Sequence, residues 1–128
     1  MGTEIFELFE KGSVNIGTGS KEITSIPWTE HKKFSGVFLK DIISHEETEG
    51  RLTCHLVRIN PDSKIGLHTH PDSMELHEVI SGSGVCITEH GELLYKPGSM
   101  AILKRGEPHE VVAGDAGLCL FAKFIVMP

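Results

Sequence analysis

Short apolar runs separated by Gly, Pro, Asn and Asp turns recur along this chain, with no internal repeat and no low-complexity stretch. Runs of that length between turn residues are the signature of an antiparallel β-sandwich or barrel. They predict eight strands, over 34–44, 51–59, 74–81, 84–88, 92–95, 100–103, 110–112 and 118–127. The charged stretch 45–50 turns the first pair, and His90-Gly91 reads as the turn of a tight hairpin. One segment, near 4–11, invites a helix: Ile5, Leu8 and Phe9 share a face and Gly12 follows as a stop, with a strand there as the alternative. The predicted architecture is an all-β, eight-stranded antiparallel jelly roll with an N-terminal arm. The arm occupies 1–34 and packs on the barrel or on a partner subunit; the barrel occupies 35–128.

Alternation assigns faces. If Glu75 points inward, so do His77 and Val79, while Met74, Leu76, Glu78 and Ile80 point outward. Leu76 and Ile80 then need cover from the second sheet, the arm or a partner, and a homodimer is the economical reading. In the last strand Leu118, Leu120, Ala122, Phe124 and Val126 form an apolar face expected inside, with Lys123 on the other. The strand over 51–59 has two faces, Leu52/Cys54/Leu56/Arg58 and Thr53/His55/Val57/Ile59, that alternation cannot tell apart. His55 is expected as a satisfied core or rim residue. Arg58 is expected at the surface, with an inward clamp for a substrate carboxylate as the alternative.

At 128 residues the chain is one domain, of a size that buries roughly two-thirds of its unfolded surface. A net charge of −6 and a pI of about 5.7 argue against nucleic acid, which needs clustered Lys and Arg; His31-Lys32-Lys33 reads as a solvated loop. Cys54, Cys86 and Cys119 are odd in number and widely spaced, so they read as small buried hydrophobes in a reducing compartment. No signal-like segment and no membrane-length apolar run occurs, and a cytoplasmic location is expected.

The chemistry concentrates in His68, His70, Glu75 and His109. Two histidines at i and i+2 share a strand face, Pro71-Asp72-Ser73 turns the chain so that Glu75 opens the next strand beside them, and His109 arrives from a later segment. Three imidazoles and a carboxylate suit one divalent transition metal, iron or manganese first, with nickel or zinc as alternatives.

These residues sit in two motifs. The first is Asp62, five residues, His68-Thr69-His70, four residues, Glu75, six residues, Gly82; the second is Gly98, five residues, Lys104-Arg105-Gly106, two residues, His109, three residues, Ala113. In both, the chain resembles a small single-domain member of the cupin superfamily. Asp62 replaces the family's first glycine, while Lys104 and Ala113 replace a proline and an asparagine in the loop that aims His109. The resemblance implies a double-stranded β-helix with the metal inside the barrel, held by the same four residues.

His77, on the face of Glu75, is the candidate acid/base; the alternative is a histidine hydrogen-bonded across the sheet. His31, His45 and His90 fall in turns and receive no role. Trp28 is expected to pack the arm rather than lid the barrel, and Tyr95 lies by the hairpin, away from the ligands along the chain. The leading function is a non-haem metal oxygenase acting on a small organic substrate, because metal and dioxygen then do most of the chemistry. A non-catalytic binding or sensing module is the alternative, since fold does not settle function. A metal-dependent isomerase or lyase is a further one.

Overall fold

Period-two alternation closes into an antiparallel jelly-roll barrel. The structure, a computed structural model, describes residues 2–128; Met1, the first residue of the expected arm, lies outside them. The arm comprises helix α1 (Gly2–Glu10), the hairpin β1 (Ser13–Ile16) and β2 (Gly19–Glu22), and the short β3 (Thr29–Glu30). The barrel strands are β4 (Val37–Ile43), β5 (Leu52–Ile59), β6 (Lys64–His68), β7 (Ser73–Thr88), β8 (Gly91–Tyr95), β9 (Met100–Leu103) and β10 (His109–Val126). They hydrogen-bond in the order β3-β4-β5-β10-β7-β8, with β6 beside β10 and β9 beside β7.

Two predicted breaks are bends instead. The segments 74–81 and 84–88 form the single strand β7, and 110–112 and 118–127 form β10. At Gly82 (φ +83°) a Cβ would lie 2.1 Å from the Gly117 carbonyl oxygen, and at Gly84 it would lie 2.3 Å from that of Val112. These glycines let the two strands approach and bend together across a register shift between Ala113 and Leu118, where other residues would end the pairing. The tight hairpin turns at Glu89-His90, because Thr88 already pairs with Gly91. The strand expected around His68 and His70 is β6, which ends at His68, while β1, β2 and β3 are too short for alternation to mark them.

Two cores result. Val57, Ile59, Val79, Leu118, Leu120 and Ala122 pack inside the barrel, so the even face of β10 is interior, as alternation implies. Phe6, Ile23, Cys54, Leu56, Ile80 and Phe121 pack between barrel and arm. That division settles β5: His55 faces inward, and Arg58 faces outward with its guanidinium 4.8 Å from the Trp28 ring. The Trp28 Nε1–H donates to Glu10 Oε2 at 3.1 Å, and the buried Lys40 donates to the Ile23 carbonyl at 3.1 Å; both fasten the arm. The helix packs through Phe6 and Phe9, the latter edge-on to Phe121 at 4.5 Å, while Ile5 and Leu8 stay exposed. Ile80 therefore finds cover within its own chain. Leu76 is half-buried and pairs with Ile102, which with Met100 stays more than 60% exposed.

Candidate metal centre

His68 ends β6, and His70 lies two residues beyond it in the loop, so the two do not share a strand as the i, i+2 spacing implies. Their rings still meet, with centroids 4.8 Å apart. His109 opens β10 directly opposite His68 in the ladder, and Glu75 enters from the start of β7 after the predicted turn. One donor atom from each of His68, His70, Glu75 and His109 lies within 4.8 Å of the others. That is near the span of about 4.2 Å between opposite donors of an ion with bonds of about 2.1 Å.

Hydrogen bonds from the far ring nitrogens aim these donors. His68 Nδ1–H donates to the Gly66 carbonyl at 2.7 Å and His109 Nδ1–H to the Glu107 carbonyl at 3.0 Å, which turns each Nε2 lone-pair position toward the cluster. The motif departures are accommodated. Lys104, in place of proline, uses its N–H to donate to Glu107 Oε1 at 3.1 Å, and the Gly106 N–H donates to the His70 carbonyl at 2.9 Å. The loop carrying His109 is thus tied to the loop carrying His70. Asp62 takes the left-handed conformation, φ +61°, and Ala113 is buried in the inner core.

His70 Nε2 is the one buried side-chain polar atom among the described residues without a hydrogen-bond partner; Glu75 Oε1 stands 3.5 Å away. Buried nitrogens are seldom left so, and a cation at the cluster would satisfy it. The donor set and this orphaned atom both fit a divalent metal. Burial pushes the His68 and His70 imidazoles below their ordinary value. Burial alone would raise the Glu75 carboxyl, but His77 and His109 outweigh it and hold it well below the carboxylate range. For His109 burial acts downward, and hydrogen bonds to Glu75 and to the Glu107 backbone prevail and raise it.

His68, His70 and Glu75 of the cluster form one wall of a chamber of about 150 Å³, lined elsewhere by Leu39, Val57, Ile65, Leu120, Ala122 and Phe124 and also bordered by His31, His55 and His77. A wider cleft of about 580 Å³ adjoins it through His55, His70 and Phe124. The His77 ring has both nitrogens engaged, Nε2 with Glu75 Oε2 and Nδ1 with the Tyr95 hydroxyl, each at 2.7 Å. His55 Nδ1–H donates to Asp41 Oδ1 at 2.7 Å, and its Nε2 lies 3.1 Å from Thr53 Oγ1. His31 accepts the Lys33 N–H on Nδ1 at 3.0 Å. Tyr95 and His31 are the site residues that sequence reasoning passed over. The observed hairpin places Tyr95 opposite Gly84, whereas a turn at His90-Gly91 would have set it opposite Cys86, and the inward parity changes from odd at His77 to even at Cys86 across the glycine bend, so its direction was not readable. His31 gives no sequence signal.

Fold and site together define a small jelly-roll barrel with a His₃Glu cluster inside it. The cupin domain family matches residues 55–122, just over half of the chain, and the protein belongs to that family. Among solved structures it resembles a predicted oxalate decarboxylase from Thermotoga maritima, at 22% identity and a TM-score of 0.75 over 81% of this chain and 96% of that one. It also resembles the polyketide cyclase RemF from Streptomyces resistomycificus, at 18% identity and a TM-score of 0.74 over 86% and 80% of the two chains. A cupin-superfamily sugar phosphate isomerase from Silicibacter pomeroyi aligns at 20% identity and a TM-score of 0.71 over 84% and 75%. At these identities the likeness establishes the fold. No curated protein sequence matches the chain.

Proposed function

We propose that this protein is a metal-dependent enzyme of the non-haem oxygenase type, holding one divalent ion through His68, His70, Glu75 and His109 and acting on a small organic substrate. The observation that carries the reading is the convergence of those four donors, three of which, His68, His70 and Glu75, line a small, mostly apolar chamber. Iron or manganese bound there would supply Lewis acidity and redox access to dioxygen. The chain's own residues hold the ion, exclude bulk water with Leu120, Ala122 and Phe124, and admit substrate past His55 and His70. A chamber of about 150 Å³ is smaller than the usual ligand pocket of roughly 300–1,000 Å³, so it takes a small molecule or one end of a larger one seated in the cleft. With both nitrogens engaged, His77 is better suited to supporting Glu75 than to exchanging protons with substrate.

One observation favours an isomerase or lyase as the second reading. His55 lines the chamber with its Nδ1–H bound to Asp41, and its Nε2 meets only the neutral Thr53 hydroxyl, at 3.1 Å, rather than a carboxylate as in His77, so this nitrogen is the one that would take a proton. Metal analysis of the purified protein, followed by oxygen uptake with small diketones, thiols and phenols, tests the proposal. Metal-dependent uptake with any of them supports it. Rearrangement or elimination of the probe without oxygen uptake moves the assignment to the second reading, and binding without turnover moves it to a non-catalytic module.

A further inference from the structure

We propose that Tyr95 is a positioning residue that fixes how Glu75 is presented to the metal, acting through the tautomer of His77; this rests on the metal-binding reading above. Glu75 Oε1 faces the cluster, 3.0 Å from His109 Nε2, while Oε2 lies 2.7 Å from His77 Nε2. An ionised carboxylate can only accept, so His77 must carry its proton on Nε2. A neutral imidazole protonated there has a bare Nδ1, and that atom lies 2.7 Å from the Tyr95 hydroxyl. Tyr95 therefore donates. The donors thus run toward Glu75, Tyr95 to His77 and His77 to Oε2.

Tyr95, His77 and Glu75 are 1%, 2% and 5% exposed, and Tyr95 stands behind His77, outside the chamber lining. Without that hydroxyl the two tautomers of His77 compete. The one bearing its proton on Nδ1 sets a bare Nε2 lone pair against Oε2, and Glu75 must rotate away. Tyr95 thus commits Oε2 to the protein and Oε1 to the ion, making Glu75 a ligand through one oxygen and leaving open the coordination position that a second oxygen would fill.

Titration of the full-length protein with Co²⁺, against a competing chelator and with visible absorption recorded, tests this. Tyr95→Phe should weaken Co²⁺ binding roughly 10- to 100-fold, the range for loss of a hydrogen bond behind a ligand, and should shift the absorption bands. His77→Gln, whose side-chain amide offers a donor to Oε2, should weaken binding less than His77→Leu, and Tyr95→Phe in that background should cost little more. A packing role for Tyr95 would cost the same in both backgrounds; equal losses, or no loss in Tyr95→Phe alone, overturn the assignment. If Tyr95→Phe does not fold, His77→Gln against His77→Leu still decides, since equal affinities of those two overturn it. A wild-type protein that binds no Co²⁺ removes the metal reading itself, whereas wild-type binding with Tyr95→Phe unchanged removes only the role of Tyr95.

Discussion

Metal binding at this centre should release close to one proton per ion near neutral pH, and the proton should come from His109. Its Nδ1 donates to the Glu107 carbonyl and its Nε2 lies 3.0 Å from Glu75 Oε1. Two acceptors on two ring nitrogens call for two N–H groups, so the metal-free protein holds an imidazolium against the carboxylate. Despite burial, the hydrogen bond to Glu75 raises this group above its ordinary 6.5. His68 and His70 are shifted the other way by burial, and Glu75 is already ionised. Only one of the four ligands therefore has a proton to surrender.

Between the depressed values of His68 and His70 and the raised value of His109, affinity should climb about tenfold per pH unit, or about 1.4 kcal/mol, and level off above it. The stability of the metal-free protein runs the opposite way. A raised folded pKa stabilises below the unfolded value of 6.5, and that contribution is lost as pH rises through the folded value. The depressed pKa of Glu75 stabilises above 4.5 and is lost as pH falls through its folded value. The pair thus contributes most between about 4.5 and 6.5. Calorimetric titration with Zn²⁺ at pH 6.5, in buffers of different ionisation enthalpy, counts the protons. A count near zero, or of two or more, would refute the assignment of protonation states.

Three further outcomes follow from the packing. Phe121→Ala removes the ring that meets Phe9 under the arm and should cost about 3–5 kcal/mol in thermal or denaturant unfolding; Co²⁺ affinity should hold, because Phe121 faces away from the chamber. Ala122→Phe fills the chamber from a position only 4% exposed, at about 1–3 kcal/mol of overpacking, and should abolish substrate-dependent oxygen uptake while metal content persists. The chain should form a symmetric homodimer through the exposed β9 surface of Met100 and Ile102; light scattering should give about twice 14.0 kDa, and a mass near 14.0 kDa would count against it.

What could be read from the sequence was what depends on neighbours along the chain. Strand alternation is a local property of the extended backbone, so it marked Glu75, His77 and Val79 as one face and the even residues of β10 as interior. The grouping of the four candidate ligands was readable for a related reason: His68, His70 and Glu75 lie within one strand-turn-strand unit, and His109 keeps the family spacing from it. Tertiary structure decided whatever rests on contacts between distant segments. Which face of β5 points inward depends on what covers the other, and the arm covers Cys54 and Leu56, which turns His55 into the chamber and Arg58 onto Trp28. The glycines at 82 and 84 look like breaks until β10 is laid against them, when the absence of side chains becomes the means of a shared bend. That bend reverses the inward parity and carries Cys86 and Tyr95 to His77. A hydrogen bond between residues 77 and 95 exists only because two strands pair in one register, and no single strand holds that information.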